Sequence, residues 1–319
     1  MHKIPVGVFG ASGYAGRELC AILAGHPHFE LAFATANAQR GEHAFLGGRE
    51  VRFIATDDAP LRDAELVFSA LPHGASATWV ERAQEHGARA VDLSSDLRPG
   101  HTTLKVPYGL TEVARDALRG AEVIANPGCY PTAVLLSLVP LLARDLVRPG
   151  SAIVVDAASG VTGAGNSPKP ELLFAEVTEN FRAYAVGNEH RHLPEMRALV
   201  ASFGSDVDLL FTPHLLPVAR GILATVTVQL TEELPDPLRI LDEHFAGEPF
   251  VEVTPHLPAL RDVVHRNVVR LTVRKAAGQR VPTLILLSAI DNLVKGAAGQ
   301  AIQNANVSFG FAEAAGLPR

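Results

Sequence analysis

The 319-residue sequence lacks basic clusters and long hydrophobic runs and is poor in cysteine, and each shortage excludes a class of protein. Its two cysteines, Cys20 and Cys129, are too few for a disulfide framework and fit a reducing compartment, so we expect the cytoplasm. No stretch approaches the roughly 18 uncharged apolar residues of a membrane-spanning helix. The N-terminus runs into a predicted strand without a signal region. The sequence therefore predicts neither a membrane partner nor export.

The charge balance argues against nucleic acid as a main partner. Lysine and arginine number 28 against 34 acidic residues, which gives a formal charge of −6. A hydrophobic content of 47% with 19% charged residues is typical of a globular protein with an ample core. Without repeats or a long low-complexity linker, this length predicts two domains.

The first part of the chain alternates short apolar strands with helical patterns, which predicts an α/β domain built on a doubly wound parallel sheet. Later segments with alternating hydrophobicity predict a mixed or antiparallel sheet in a second domain. The strands are expected at residues 6–9, 31–35, 66–70, 90–94 and 123–125, and then at 152–157, 223–229 and 268–274. We expect residues 1–128 and about 291–319 in the first domain, and 129–290 in the second.

A glycine-rich turn separates the first predicted strand from the first helix. Gly10, Gly13 and Gly16 form GxxGxxG at the place where glycine lets backbone N–H groups approach a pyrophosphate. A turn that only packs helix against strand would use the same residues. Its position in the first βα unit favours a dinucleotide cofactor. Contacts are expected from Gly10, Ser12, Gly13, Tyr14, Ala15 and Gly16.

The end of the second predicted strand bears on the choice of cofactor. Enzymes that prefer NAD usually carry an acidic residue about 20 positions after the glycine turn. Residues 34–40 contain none, whereas Thr35, Asn37 and Arg40 are suited to a 2′-phosphate. We therefore expect NADP(H). An ordinary solvated arginine is the alternative for Arg40.

Cys129 lies in the segment Asn126-Pro-Gly-Cys-Tyr-Pro-Thr132, which an apolar run follows. Asn-Pro-Gly predicts a turn and the apolar run predicts a helix, so the thiol is expected near a helix N-terminus. The N–H groups and the macrodipole there favour a thiolate, the nucleophile that attacks acyl phosphates, esters and aldehydes. A small buried thiol is the alternative, and we assign that state to Cys20.

The glycine turn followed by NPGCYPT resembles the N-acetyl-γ-glutamyl-phosphate reductases, the arginine-biosynthetic branch of the semialdehyde dehydrogenase superfamily. The resemblance covers nearly the whole chain. It departs at Leu193, where the family has threonine, and in a shorter segment before Pro107. Further matching segments lie at residues 71–74, 107–110, 159–165, 183–184, 190–192, 211–214, 220–225 and 291–299.

The resemblance implies an oxidoreductase that uses NADPH to reduce N-acetyl-γ-glutamyl phosphate to the semialdehyde and phosphate, through a cysteine thioester. It implies a Rossmann-type cofactor domain and an α+β domain for substrate binding and oligomerisation, in a homodimer or tetramer. Pro72, Gly160 and Asn292 are expected at the cofactor.

His190 and His192 are the candidate proton carriers near Cys129. Two histidines spaced by two residues point in opposite directions in a strand, so only one is expected to meet the thiol. The resemblance favours His190; His192 and a surface-loop role remain open. A metal site is not expected, because no third ligand has a matching spacing.

The implied substrate is an anion, which requires cationic groups. Arg220 precedes a predicted strand in a segment that resembles the superfamily's substrate-binding strand, and Arg191 and His214 are further candidates. Ion pairs that support the fold are the alternative for each.

Two enzymes would run the same chemistry on another acyl phosphate, aspartate-semialdehyde dehydrogenase and a carrier-protein-linked aminoadipyl phosphate reductase of lysine synthesis. NPGCYPT together with His-Arg-His-Leu-Pro-Glu favours the arginine enzyme. A non-catalytic NADP-binding regulator is the alternative of another class, and the retained cysteine and histidines argue against it.

Overall fold

The computed structural model describes residues 2–319, which form two compact units. Among the described residues, the first unit comprises 2–128 and Ala297–Pro318, and the second comprises Cys129–Gly296 with Arg319. Within residues 2–319, no helix has both the length and the apolar character that a membrane crossing needs. The α-helices are α1 (Tyr14–Leu23), α2 (Ser76–Glu85), α3 (Thr111–Leu118), α4 (Cys129–Leu142), α5 (Phe174–Val177), α6 (Leu193–Ser202), α7 (Pro237–His244) and α8 (Gly299–Ser308).

The first unit is built on a seven-stranded sheet with α1, α2, α3 and α8. Its strands are β1 (Ile4–Phe9), β2 (Phe29–Thr35), β3 (His43–Leu46), β4 (Arg49–Ile54), β5 (Leu66–Ser69), β6 (Arg89–Asp92) and β7 (Val123–Ala125). Their order is β3-β4-β2-β1-β5-β6-β7, and every pair is parallel except the β3–β4 hairpin. The doubly wound parallel sheet is thus confirmed, and the hairpin is an addition that the sequence analysis did not predict.

The central strands of this sheet are apolar because both of their faces are covered. All four residues of β5 are buried, and Val6 and Val8 of β1 have no exposed surface. The ring of Phe9 lies 5.7 Å from that of Phe33 and 5.5 Å from that of Trp79. Continuous apolar strands of this kind are typical of parallel sheets with helices on both sides.

The second unit is built on a mixed seven-stranded sheet with α4, α5, α6 and α7. Its strands are β8 (Ser151–Gly160), β9 (Arg182–Ala183), β10 (Val207–Leu216), β11 (Ile222–Gln229), β12 (Val251–Val253), β13 (Val269–Lys275) and β14 (Thr283–Ile290). Their order is β12-β13-β14-β11-β8-β10-β9. The β8–β10 and β12–β13 pairs are parallel and the others antiparallel, which confirms the predicted mixed sheet.

One face of this second sheet is covered and the other is open. Along β11, Ile222, Ala224, Val226 and Val228 have no exposed surface, and the residues between them are partly exposed. Every residue of α4 after Cys129 is buried, and this helix lies against β11 and β14. Because side chains alternate between faces, the opposite side forms an open sheet face. Its residues include Leu210, Leu223, Thr225, Thr227, Ile285 and Leu287.

Candidate active site

The glycines of the turn after β1 are required by space and by backbone conformation. Gly10 has a φ of 71°, and a Cβ atom there would lie 2.5 Å from the carbonyl oxygen of Ala70. A Cβ atom on Gly16 would lie 2.3 Å from the carbonyl oxygen of Gly10. Among the described residues, no side chain caps α1, which begins after Gly13. The turn therefore presents backbone N–H groups to an anion, and these residues fit a dinucleotide.

The N-terminus of α2 in the same unit is filled by the protein itself. The carboxylate of Asp96 accepts hydrogen bonds from the backbone N–H groups of Gly74 at 2.7 Å, Ser76 at 2.9 Å and Ala77 at 3.2 Å. The first turn of α1, which the structure describes completely, contains no acidic residue. Of these two helix starts, α1 is therefore the one suited to a phosphate.

The other predicted cofactor residues are divided between the units. Thr35 is buried at the end of β2, and its Oγ1 accepts a hydrogen bond from Thr56 Oγ1 at 3.2 Å. Arg40 is exposed, with Nη1 3.5 Å from the carbonyl oxygen of Asn37. Their roles stay predictions. Ser12, Tyr14, Ala15 and Pro72 lie in the first unit, and Gly160 and Asn292 in the second.

Cys129 is the first residue of α4, so the predicted placement at a helix N-terminus is confirmed. Its side chain borders a cavity of about 230 Å³ within the second unit, which we call the Cys129 cavity. Cys20, in contrast, is buried on α1, and burial raises the pKa of its thiol to about 12. The lining of the Cys129 cavity includes Tyr130, Tyr184, His190, Arg191 and His192.

His190 and His192 both line the Cys129 cavity, with ring centroids 4.8 Å apart. The expectation that they point in opposite directions is wrong, because they lie in a turn that leads into α6 and not in a strand. The side chain of Asn188 binds this turn to β10. Asn188 Nδ2 donates to the carbonyl oxygen of Leu209 at 3.0 Å, and Asn188 Oδ1 accepts from the N–H of Phe211 at 2.8 Å.

The hydrogen bonds of His190 define its tautomer. Its Nδ1 accepts a hydrogen bond from the backbone N–H of His192 at 3.1 Å. Burial, assisted by the positive charge of Arg191, lowers the pKa of His190 to about 4, so the ring is neutral at pH 7. A neutral ring that accepts at Nδ1 carries its proton on Nε2. His190 therefore offers an N–H donor, and its Nε2 lies 3.5 Å from the hydroxyl of Tyr184.

Two tyrosines continue the chain of hydrogen bonds from His190. The hydroxyl of Tyr184 donates to the hydroxyl oxygen of Tyr130 at 3.1 Å, and Tyr130 donates to the carbonyl oxygen of His214 at 3.2 Å. Burial raises the pKa of Tyr130 strongly and that of Tyr184 to about 12. Both hydroxyls therefore stay protonated and hold a fixed direction of donation.

Arg220 lies beside Asp291, a carboxylate with no exposed surface. Arg220 Nη1 is 3.5 Å from Asp291 Oδ2, which also accepts from the N–H of His265 at 2.7 Å. Asp291 Oδ1 accepts from the N–H groups of Leu293 at 2.8 Å and Val294 at 3.1 Å. This ion pair is the fold-supporting alternative stated above for Arg220, and substrate binding by Arg220 stays a prediction.

His214 faces away from the Cys129 cavity. Its ring stacks on that of Phe181, with centroids 5.2 Å apart, and only its carbonyl oxygen contacts Tyr130. Of the three predicted substrate residues, only Arg191 is part of the cavity lining that the structure describes.

Asn292 ties together the loops beside Gly160. Its Oδ1 accepts from the N–H of Gly221 at 2.8 Å, and its Nδ2 donates to Thr162 Oγ1 at 2.9 Å. A Cβ atom on Gly160 would lie 2.8 Å from the carbonyl oxygen of Ala219. Both residues thus shape the loop after β8, whatever they contact in a complex.

Among the cavity residues that were not predicted as site residues from the sequence are Lys169, Arg182 and Tyr184. Arg182 belongs to β9, a strand of only two residues at the edge of the sheet, where it pairs with β10. A strand that short has no hydrophobic period, so only tertiary pairing reveals it.

Cys129 packs against Gly296, where the absence of a side chain makes room for it. Gly296 lies in a π-helix, Val294–Ala298, and a Cβ atom on it would be 2.8 Å from Cys129 Cβ. We expect Gly296→Ala to destabilise the second unit by about 1–3 kcal/mol, as overpacking does, and to slow alkylation of Cys129 by iodoacetamide. Chemical denaturation and the alkylation rate measure the two effects.

Gly25→Ala is the matched control, because no heavy atom lies within 4 Å of the added methyl group. The double variant Gly296→Ala/Cys129→Gly removes the opposing Cβ atom and should recover stability. Equal destabilisation of the single and double variants would contradict the contact as the cause.

Two sequence models of one family match the chain. The model described as "Semialdehyde dehydrogenase, NAD binding domain" matches residues 5–121, and "Semialdehyde dehydrogenase, dimerisation domain" matches residues 129–292. The fold is also similar to that of solved semialdehyde dehydrogenases. Aspartate semialdehyde dehydrogenase II of Vibrio cholerae superposes with a TM-score of 0.77 at 20% identity, covering 96% of this chain and 98% of that one. The enzyme of Candida albicans with NADP gives 0.69 at 16% identity, covering 96% and 98%.

Sequence relatives carry a more specific name. The N-acetyl-gamma-glutamyl-phosphate reductase of Laribacter hongkongensis is 40% identical, and the alignment covers 98% of each chain. The protein of the same name from Desulforudis audaxviator is 42% identical, again over 98% of each chain. The chain therefore belongs to the N-acetyl-γ-glutamyl-phosphate reductase family of the semialdehyde dehydrogenases.

Proposed function

We propose that the protein reduces N-acetyl-γ-glutamyl phosphate to N-acetyl-glutamate semialdehyde and phosphate with NADPH, a step of arginine biosynthesis. One observation carries the proposal: a cysteine at a helix N-terminus shares a cavity with two histidines, in a chain about 40% identical to these reductases over nearly its full length. The substrate and product follow from the name of the relatives.

In the first step, Sγ of Cys129 attacks the acyl carbon, the bond from that carbon to the phosphate oxygen breaks, and phosphate leaves. The start of α4 favours the thiolate that this attack needs. Nε2–H of His190 is the donor for the carbonyl oxygen as negative charge develops there. Because neutral His190 already carries a proton on Nε2 and accepts a hydrogen bond at Nδ1, the thiol loses its proton to solvent before the attack.

In the second step the acyl group on Cys129 is reduced. The turn before α1 would hold NADPH, and the bound cofactor would supply the hydride for this reduction. His190 again donates a hydrogen bond to the carbonyl oxygen, which carries the negative charge when the thioester becomes the anion of a thiohemiacetal. The C–S bond then breaks, the aldehyde leaves, and the thiolate of Cys129 is restored.

The cofactor contacts belong to this proposal as a set. The backbone N–H groups at the start of α1, which no described side chain caps, bind the pyrophosphate. The exposed Arg40 binds the 2′-phosphate. Arg191 in the cavity, with Arg220, is proposed for the anionic substrate, whereas the predicted role of His214 is not retained because its ring faces away from the cavity. The remaining cofactor contacts are Gly10, Ser12, Gly13, Tyr14, Ala15, Gly16, Thr35, Pro72, Gly160 and Asn292.

The open sheet face of the second unit supports a homo-oligomer, either a dimer or a tetramer. That unit matches the dimerisation domain, and Leu223 and Leu287 are partly exposed on the face opposite α4. A second copy placed there would bury them. The two free thiols favour the cytoplasm as the compartment.

The reverse reaction tests the proposed function directly. Purified protein is mixed with N-acetyl-glutamate semialdehyde, phosphate and NADP, and NADPH formation is followed by absorbance. We expect turnover that requires phosphate. Turnover of aspartate semialdehyde in place of this aldehyde would assign the protein to a different acyl phosphate.

A further inference from the structure

The Cys129 cavity has cationic groups beyond the histidine turn. Its charged lining residues are Lys169, Arg182, Arg191 and Glu171, three cations against one carboxylate. The cavity is therefore suited to a substrate with more than one negative charge.

The sheet register places Arg182 on the cavity side. In the β9–β10 pair Arg182 lies opposite Leu215, and Leu215 also lines the cavity. The neighbouring pair, Ala183 and His214, faces the other way, where Phe181 stacks on His214. Because directly opposed residues project from the same face, the backbone itself aims Arg182 into the cavity.

The positive charges of Arg182 and Lys169 are available to bind an anionic ligand. Arg182 Nη2 donates to the carbonyl oxygen of Glu171 at 2.9 Å, which fastens the guanidinium to the segment that carries Lys169. Within residues 2–319, neither cation forms a salt bridge with a carboxylate. A guanidinium with free N–H groups binds a carboxylate through two parallel hydrogen bonds.

Arg191 is the cation of the cavity that adjoins the histidine pair in the chain. It follows His190 in the chain and, after burial, it is the group that lowers the pKa of His190. Arg191 is therefore near His190, which the proposed reaction places at the acyl carbonyl, and we assign Arg191 to the phosphate end of the substrate. Arg182 and Lys169 come from β9 and from the segment before the short 3₁₀ helix Pro170–Leu172.

N-acetyl-γ-glutamyl phosphate is negative at both ends, with the acyl phosphate at one end and the α-carboxylate at the other. We propose that Arg182, assisted by Lys169, binds the α-carboxylate and so makes the enzyme specific for acylated amino acids. The inference rests on the proposed function for the identity of the substrate. The bidentate fork of Arg182 supplies most of the discrimination, and the exposed Lys169 adds a point charge.

A pair of aldehydes that differ only in this carboxylate tests the proposal. Wild-type protein and Arg182→Gln are assayed in the reverse direction with N-acetyl-glutamate semialdehyde and with 4-acetamidobutanal, which lacks the carboxylate. We expect Arg182→Gln to lower kcat/KM for the carboxylated aldehyde roughly 10- to 150-fold, the value of a charge-assisted hydrogen bond, and to leave that for 4-acetamidobutanal unchanged. Lys169→Gln should act in the same direction with a smaller factor.

Arg197→Gln is the matched control, since Arg197 is exposed on α6 of the same unit and does not line the cavity. A loss of equal size for both aldehydes, or an increase in the KM for phosphate alone, would overturn the assignment to the α-carboxylate. An increase in the Kd for NADPH would overturn it as well.

Protection of Cys129 from iodoacetamide separates this proposal from the proposed function, because it needs no turnover. N-acetyl-glutamate should protect the wild-type protein more strongly than 4-acetamidobutanoate, and Arg182→Gln should remove the difference. Selective protection of a protein that turns over neither aldehyde would retain the carboxylate site and reject the reaction. Equal protection by both acids would reject the site.

Discussion

Cys129→Ser is expected to abolish reduction of the acyl phosphate while the Kd for NADPH stays within about a factor of two. A serine hydroxyl remains protonated at neutral pH, and the start of α4 does not lower its pKa enough to make it a comparable nucleophile. Steady-state kinetics measures the loss, and fluorescence titration with NADPH measures the binding. Activity within a few-fold of wild type would contradict the covalent mechanism.

Cys20→Ala provides the control for this variant. Cys20 is 1% exposed and its pKa is raised to about 12 by burial, so iodoacetamide should label only Cys129 under native conditions. Cys20→Ala should keep its activity and take up one equivalent of label. Cys129→Ser should take up none until the protein unfolds.

His190→Asn is expected to lower kcat by roughly 10² to 10⁴, the usual range for a positioned acid–base group or oxyanion donor. The amide of asparagine reaches the position of Nδ1, so the contact with the N–H of His192 is kept while the donor at Nε2 is lost. His190→Gln extends an amide toward the Nε2 position and should recover part of the rate. His256→Asn, at an exposed histidine outside the cavity, should leave kcat unchanged.

The pH dependence of Cys129 alkylation tests the protonation state of His190. Its pKa is lowered to about 4, so between pH 5 and 8 the ring is neutral and its charge does not change. The alkylation rate should therefore rise with a single ionisation, that of the thiol. A plateau between pH 5 and 7, the sign of an imidazolium–thiolate pair, would contradict the neutral Nε2–H tautomer.

Features that depend on local sequence could be predicted. Gly10 and Gly16 define their turn through backbone conformation and close approach, and Cys129 starts α4 because Asn-Pro-Gly ends the preceding strand and an apolar run follows. Their chemistry follows from that placement. The mixed sheet was predicted from the alternation of apolar and polar residues within its strands, which is also a local property of the sequence.

Features that depend on tertiary pairing could not be predicted. The direction of His190 and His192 depends on Asn188, whose side chain bonds to β10 more than 20 residues later in the chain. The predicted strand geometry was wrong for that reason. The β3–β4 hairpin, by contrast, carried a readable signal, because Gly47 and Gly48 both adopt positive φ in its turn.

Two elements that line the Cys129 cavity, the start of α4 and the strand β9, differ in the free energy of local opening. Cys129 begins a helix whose other residues are all buried, so displacing it requires disruption of the core of the second unit. Arg182 lies on a two-residue edge strand, which is held by a few backbone hydrogen bonds to β10 and by the bond from Arg182 Nη2 to the carbonyl oxygen of Glu171. Segments with few buried contacts and few backbone bonds open far more often than the core does. Substrate can therefore enter past β9 by local fluctuation while the nucleophile stays in place.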